Sequence, residues 1–241
     1  MSNQMKNRIS HKKPAGDDRN LVLVDDDFQD ADFEDRVWLF WQRHGKRTIA
    51  GGIALFLAII AVIVYVQTEK MRVAALQAEY AATETVEQKL AFAKANESDP
   101  IAGTAYFSVG SEFAEAGKYA EAASAFGDAA RVLSGNEEFN AMQNRAVIAS
   151  AAALARTGKP EDLTLSKESL KKLAGLSSAD PIYRGQAMYE LAVAAVTAGN
   201  LDEARLWINE MDRTLDPTNF WQARKRTLIA IEPALALPAQ N

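Results

Sequence analysis

The chain has 241 residues, a formal net charge of −5, no cysteine and two histidines. The absence of cysteine excludes disulfides, thiolate metal ligands and cysteine nucleophiles. The negative charge argues against non-specific binding to nucleic acid, which needs clustered Lys and Arg. Because both histidines, His11 and His44, precede the most apolar segment, a metal centre or a Ser-His-Asp triad beyond it would lack imidazole. No cofactor and no metal ion is expected.

Residues 1–35 have the composition of a disordered cytoplasmic tail. The first part is basic and the second strongly acidic, and few apolar side chains are available to offset the entropy lost on ordering. The run Leu21 to Val24, followed by three aspartates and Phe28, is compatible with a docking motif for a basic partner or with a solvated spacer. The spacer is the favoured interpretation.

Residues 36–47 form a predicted juxtamembrane segment. Trp38, Phe40 and Trp41 suit the headgroup zone of a bilayer, where Arg43 and Lys46 would face lipid phosphates. The simplest role for this segment is to anchor the helix that follows.

Residues 48–66 are predicted to be a transmembrane helix. This run carries no charge, and most of its side chains are Ile, Leu, Val or Phe. At 1.5 Å per residue it extends roughly 28 Å, close to the thickness of a hydrocarbon core. A buried core helix is seldom apolar over this length, and a cleaved signal peptide has a shorter leader and a shorter apolar run. The segment is therefore predicted to be an uncleaved anchor in contact with membrane lipid.

Basic residues near the span predict its orientation. They are Arg36, Arg43, Lys46 and Arg47 on the N-terminal side, and Lys70 and Arg72 on the other side. Because positive charge is retained on the cytoplasmic side, the N-terminus is expected in the cytoplasm. The C-terminal domain is then expected outside it, in the periplasm, with a single pass through the plasma (inner) membrane.

The remainder of the chain is predicted to be all-α. Residues 67–98 are expected to continue as a stalk or packing helix, and residues 99–231 to form a helical-repeat domain (an α-solenoid). Gly117, Gly158 and Gly199 are evenly spaced along the chain, each after an alanine-rich stretch and before a polar turn. A fixed period of roughly 40 residues is typical of stacked helix-turn-helix units.

The first unit resembles a tetratricopeptide repeat. A large residue, a Leu-like residue, Gly and an aromatic residue occur at helical spacing, followed after the turn by Ala, an aromatic residue and Ala. These positions are Tyr106, Val109, Gly110, Phe113, Ala122, Phe126 and Ala129. The spacing places each set of apolar residues on one face of a helix.

The other units keep this frame to different degrees. The third has Met188, Leu191, Ala192 and Ala195, then Ala204, Ile208 and Met211. The second is degenerate, with a predicted insertion around residues 160–164 and a return helix from about 166 to 176. A final helix is expected at 219–231, to cover the open end of the stack, and residues 232–241 are expected to be flexible.

A concave groove lined by the first helix of each pair is the predicted partner-binding site. In tetratricopeptide proteins such grooves hold peptides or partner helices, which is an analogy at the level of the fold. The predicted groove residues are Phe107, Ser111, Arg145, Ile148, Arg156, Gln186 and Tyr189. Arginines beside aromatic rings suit an extended chain with a carboxylate or an acidic side chain.

The arrangement is similar to one bacterial family, the ancillary (YfgM-like) subunits of the SecYEG translocon. The resemblance covers roughly residues 38–215: the segment Trp-Gln-Arg-His-Gly-Lys at 41–46 precedes the span, and residues 100–129 carry the best repeat. The tail of residues 1–35 is longer than expected of that family. The resemblance implies a periplasmic domain that links the SecYEG channel to periplasmic chaperones or clients.

The sequence therefore predicts a non-catalytic protein-protein interaction scaffold with protein partners. A coordinator of cell-envelope or division assembly is the alternative. An enzyme is the third class. Its candidate carboxylate pairs, Glu137 with Glu138 and Glu161 with Asp162, are adjacent in sequence and would not converge on one substrate.

Overall fold

A computed structural model describes residues 33–236 of the chain, and its regular structure is entirely helical over that range. By their contacts the described residues divide into two units, one that ends at Lys70 and one that begins at Met71. The helices are α1 (Phe33–Ala81), α2 (Val86–Ala95), α3 (Pro100–Glu115), α4 (Tyr119–Val132), α5 (Asn140–Arg156), α6 (Pro160–Gly175), α7 (Pro181–Thr197), α8 (Leu201–Thr214) and α9 (Phe220–Ile231). The all-α class is confirmed for this part of the chain.

Helix α1 is long and apolar enough to cross a membrane. Its large apolar side chains between Ile49 and Val66 are exposed, from 40% at Ile60 to 69% at Tyr65. None of the most apolar window of the helix is buried within the described structure, unlike the core helix of a soluble protein. Of the tail predicted for residues 1–35, the part up to residue 32 lies outside the described residues.

The region expected to be a stalk contains two helices. Helix α1 continues to Ala81, and α2 starts again at Val86 after a short break. Thr85 caps α2, since its hydroxyl accepts a hydrogen bond from the Gln88 N–H and the Gln88 side chain accepts one from the Thr85 N–H. This reciprocal capping box satisfies two N–H groups that a helix start leaves unpaired.

Three helical hairpins follow, formed by α3 with α4, α5 with α6, and α7 with α8. Gly117, Gly158 and Gly199 lie in the turns of these hairpins, each with a φ of 74°. This left-handed backbone is accessible to glycine at little cost. The period of the glycines in the sequence is therefore also the period of the turns.

The second hairpin has no insertion, which corrects the prediction for residues 160–164. Helix α6 begins at Pro160 rather than near residue 166. Proline suits the first turn of a helix, because its missing N–H would be unpaired there in any case. As a result α4, α6 and α8 begin at Tyr119, Pro160 and Leu201, each two residues after its glycine.

Packing follows the order of the chain. Each helix from α2 to α8 packs on the next one, α5 also adjoins α7, and α7 adjoins α9. The core contains much alanine, which allows close approach of the helices. Larger side chains that are almost fully buried include Tyr106, Leu133, Met188, Leu191 and Met211.

A polar cluster lies at the start of the first hairpin. The hydroxyl of the buried Tyr106 donates a hydrogen bond to Glu97 (2.6 Å), and Arg131 donates to the same carboxylate (3.0 Å). The hydrogen bonds from Arg131 and Tyr106 lower the pKa of Glu97. Burial and the neighbouring Glu97 raise the pKa of Tyr106.

Helix α9 and a short 3-10 helix, Pro233–Ala236, cover the end of the third hairpin. The observed α9 agrees with the helix predicted at 219–231 to within one residue. Within the end expected to be flexible, Leu235 is only 5% exposed, in a cluster with Ile208 and Leu228. Arg205 donates two hydrogen bonds to the Ala234 carbonyl, at 2.9 and 3.3 Å. Residues 237–241 lie outside the described range.

Candidate functional site

The three hairpins can be compared position by position, because their turns and the starts of their return helices recur at one constant interval. One position on the return helix varies strongly in character. It is occupied by Phe126 in α4, Lys167 in α6 and Ile208 in α8. The three hairpins differ in how the side chain at this position packs.

In the first hairpin Phe126 fills the interior. Its ring is 5% exposed and stacks at a tilt on Phe107, with the ring centroids 5.0 Å apart. A Cβ atom at Gly110 would lie only 2.7 Å from the Phe126 ring, so the ring lies directly against the backbone of α3. Phe126 forms an apolar cluster that also takes in Ala149 and Ala153 of α5.

In the third hairpin Ile208 fills the same position. It is 4% exposed and belongs to an apolar cluster with Ala192 and Ala204, to which Leu235 from the end of the chain contributes. Phe126 and Ile208 are therefore buried at this position in the first and third hairpins.

In the second hairpin a cavity of about 150 Å³ lies between α5, α6 and α7. Lys167 is only partly buried, and its side chain lines the cavity instead of filling it. The lining is mostly apolar and includes Ile148, Ala151, Leu170 and Val193. Ala152 and Ala155, which also line it, are exposed, so the cavity opens at the surface.

Two opposite charges line this cavity. Neither the Lys167 amine nor the Glu190 carboxylate has a hydrogen-bond or ion-pair partner within residues 33–236. Partial removal from water raises the pKa of Glu190, although its side chain keeps substantial exposure. Ser166, the other polar group of the lining, donates its hydroxyl to the Ala151 carbonyl at 2.7 Å. The two charged groups thus remain available to a ligand.

A second cavity, of about 440 Å³, lies between α6 and α8. The half-buried Trp207 and the exposed Leu206 contribute its apolar part. Its charged groups are already paired, Lys171 with Glu203 at 3.3 Å and Glu210 with Arg213 at 2.6 Å. It therefore offers a ligand no unpaired charged group, in contrast to the first cavity.

The predicted groove residues fall into separate groups. The Arg145 guanidinium lies over the Phe107 ring at 5.0 Å, which joins α5 to α3. Arg156 lies over Tyr119 of α4 at 5.8 Å. Ser111 donates its hydroxyl to the Phe107 carbonyl within α3.

The remaining predicted residues lie on α5 and α7. Ile148 is 8% exposed and lines the cavity, so it offers little surface outside it. Tyr189 stacks on Trp221 of α9 with the ring centroids 5.3 Å apart. Gln186 is partly buried on α7, one turn before Tyr189.

Sequence analysis missed the two charged residues of the cavity, Lys167 and Glu190. On a helix of unknown register a lone lysine resembles an ordinary surface residue. The sequence feature that identifies Lys167 is the common register of the three hairpins, because it aligns Lys167 with Phe126 and Ile208 in the other two. The insertion predicted at 160–164 shifted α6 relative to α4 and α8, so this alignment of Lys167 was not seen.

The described residues contain no group of three or more His, Cys, Asp or Glu side chains placed to hold a metal ion. No protein-family model, no curated protein and no solved structure matches the chain.

Proposed function

We propose that this chain is a membrane-anchored, non-catalytic scaffold that binds proteins through a tetratricopeptide-like repeat domain. The observation that carries the proposal is the cavity between α5, α6 and α7, which combines an apolar interior with two unpaired charges of opposite sign. Apolar pockets with a few convergent polar groups are the usual form of a recognition site.

The regular hairpins support the tetratricopeptide-like assignment. Three turns with the same φ recur at a constant interval, and each helix packs on its neighbours in the chain. Of the seven characteristic positions in the first unit, all except Phe113 are buried. Stacks of such hairpins present extended surfaces that proteins use for binding partners.

The anchor in this proposal is the apolar part of α1. The length and composition of α1 suit a bilayer, and the four basic residues before the span against two after it favour a cytoplasmic N-terminus. The repeat domain would then work outside the cytoplasm, on the periplasmic side of the inner membrane.

We further propose that the partner complex is the Sec translocon, with the chain as an ancillary subunit that links SecYEG to chaperones or clients. This proposal rests on the resemblance in residues 38–215, above all the segment at 41–46 before the span and the repeat at 100–129. An extracytoplasmic binding domain on a single anchor has the geometry that such a link requires.

The test is mild crosslinking of the full-length protein in native membranes, followed by identification of what co-purifies. Channel subunits together with chaperones of secreted proteins would support the translocon scaffold. Division or cell-wall proteins alone would move the function to envelope assembly. The absence of any protein partner, or a catalytic turnover of peptides or peptidoglycan by the purified protein, would refute the scaffold.

A further inference from the structure

We propose that the cavity between α5, α6 and α7 binds one aliphatic or aromatic side chain of a partner peptide, flanked by an acidic residue near Lys167 and a basic residue near Glu190. The inserted side chain would take the place that Phe126 occupies in the first hairpin. This inference rests on the proposed protein-binding function and defines the chemistry of the ligand.

The lining of the cavity corresponds to the surroundings of Phe126. Phe126 packs with Phe107, Ala114, Ala149 and Ala153. The equivalent residues one repeat further along the chain are Ile148, Ala155, Glu190 and Ala194, and all four line the cavity. The second hairpin therefore has a space of the kind that surrounds Phe126 in the first hairpin, but it has no large apolar side chain of its own at that position.

The size of the cavity suits this occupant. An apolar cavity of about 150 Å³ admits a group as large as benzene, which is comparable to the side chain of Leu, Met or Phe. The exposed Ala152 and Ala155 at its edge leave room for a peptide backbone, because neither residue projects beyond Cβ. A side chain can thus enter while the backbone to which it belongs stays at the surface.

The two charged side chains would favour one orientation of the bound peptide. Lys167 comes from α6 and Glu190 from α7, and neither has a partner within the described range. A partner with an acidic residue on one side of the inserted side chain and a basic residue on the other would neutralise both. Opposite charges at a rim discriminate among sequences more than they add to affinity.

The experiment measures binding of the detergent-solubilised full-length protein to an array of short synthetic peptides in a Ser-Gly background. The central residue is Leu, Phe or Ser, and the flanking residues are Glu and Lys in either order, or Ser. The variants are Lys167→Ile, which supplies the residue of the third hairpin, Lys167→Gln and Glu190→Gln. Lys172→Gln, a change at an exposed position of α6 outside the cavity, is the matched control.

The wild-type protein is expected to bind Leu- or Phe-centred peptides at least about tenfold more tightly than Ser-centred ones, the effect of burying one large apolar side chain. It should prefer one order of Glu and Lys. Lys167→Ile should abolish the preference for Leu or Phe, with a thermal midpoint at or above that of the wild type, because the isoleucine fills the cavity from within. Lys167→Gln should remove only the preference for the acidic neighbour, Glu190→Gln only that for the basic neighbour, and Lys172→Gln neither.

Equal binding of Leu- and Ser-centred peptides, an unchanged Leu preference in Lys167→Ile, or no binding to any peptide would overturn the inference. The proposed scaffold is judged separately, by crosslinking the same variants in native membranes. If Lys167→Ile keeps the wild-type partners there, the scaffold stands and the cavity is not its binding site. If the wild type has no partner, the scaffold itself fails.

Discussion

In the first and third hairpins, the side-chain volumes on the two helices are matched across the interior. Where the return helix carries a phenylalanine ring, the facing first helix carries glycine, and where it carries isoleucine the first helix carries alanine. The corresponding residues are Gly110 with Phe126, Ala151 with Lys167, and Ala192 with Ile208. Interiors packed to crystal density leave no room for an added methyl group without a compensating change.

The first prediction concerns Gly110→Ala, which should destabilise the protein. The new Cβ would lie 2.7 Å from the buried Phe126 ring. Such overpacking costs roughly 1–3 kcal/mol, only partly offset by a gain of about 1 kcal/mol in helix propensity. Urea unfolding followed by circular dichroism gives the change in the free energy of unfolding.

Two variants make this prediction specific. Gly127→Ala is the control, since its nearest neighbour would be the Ser150 hydroxyl at 3.9 Å, and it should stabilise the protein slightly. Gly110→Ala combined with Phe126→Ile reproduces the Ala–Ile pair of the third hairpin and should recover part of the loss. If Gly110→Ala were as stable as Gly127→Ala, the close packing described for Phe126 would be wrong.

The second prediction concerns the contribution of Glu97 to the stability of the protein at acidic pH. Its pKa is lowered from the ordinary value of 4.5 in the folded protein by hydrogen bonds from Arg131 and Tyr106. The stabilisation from this carboxylate is therefore present above pH 4.5 and is lost as the pH falls through the lower, folded-state pKa. Glu97→Gln should lose less stability over that acid range than the wild type.

The measurement for Glu97 is the urea midpoint as a function of pH. Glu121→Gln, at an exposed position of α4, is the control and should keep the wild-type slope. An acid slope in Glu97→Gln as steep as that of the wild type would contradict the assigned hydrogen bonds.

At the scale of the element, the turns fix the frame in which each return helix begins. Glycines with positive φ end the first helices, and the return helix starts two residues later whether the residue there is Tyr119, Pro160 or Leu201. The start of α6 is therefore set more by its distance from the turn glycine than by the helix propensity of its first residue. Proline at that point acts as a first-turn residue, not as a break.

The third prediction is that Gly158→Ala destabilises the second hairpin. The residue has a φ of 74°, and a left-handed backbone costs a residue with a Cβ roughly 1–2 kcal/mol. Gly158→Asn should cost less, because asparagine tolerates this conformation better than alanine. Gly175→Ala, where a Cβ would meet nothing within 4 Å, is the control and should be close to neutral in the same unfolding experiment.

At the scale of the whole molecule, the sequence predicts the helical class well but does not predict the cavity between α5, α6 and α7. Glycine spacing and apolar periodicity are local signals, and they locate the turns at Gly117, Gly158 and Gly199. The cavity exists because the second hairpin has no large apolar side chain at the position of Phe126. No local sequence pattern around Lys167 indicates that such a side chain is missing. It becomes visible in the sequence only when Lys167 is aligned with Phe126 and Ile208, which requires the correct start of α6.

The surroundings of the predicted groove residues could not be read from the sequence for a related reason. Helical spacing assigns residues to a face, but it does not say which neighbour comes to cover that face. Ile148 is buried by the packing of α5 against α6 and α7, and Arg156 contacts Tyr119 across the turn of the preceding hairpin. Such contacts between units are set by the tertiary structure.

The fourth prediction tests the membrane anchor. Leu57→Arg combined with Ile60→Lys places two charges in the middle of the apolar run of α1, each costing about 2.5–3.5 kcal/mol at the centre of a membrane helix. The wild-type protein should stay with the membrane after alkaline carbonate extraction, and the double variant should be released. Gln67→Lys, one residue beyond the apolar run 48–66, should remain in the membrane. Release of the wild type would exclude a spanning helix.

The constant frame of the hairpins also bears on how such a chain can evolve. Because the turn glycines and the starts of the return helices recur at one interval, unequal recombination between two repeats would delete or duplicate one whole hairpin and leave every remaining turn in place. An excision of residues 118–158 would join Gly117 directly to Lys159, the same junction of glycine and lysine that Gly117 makes with Lys118. The number of hairpins can therefore change in a single genetic event without any repair of the turns.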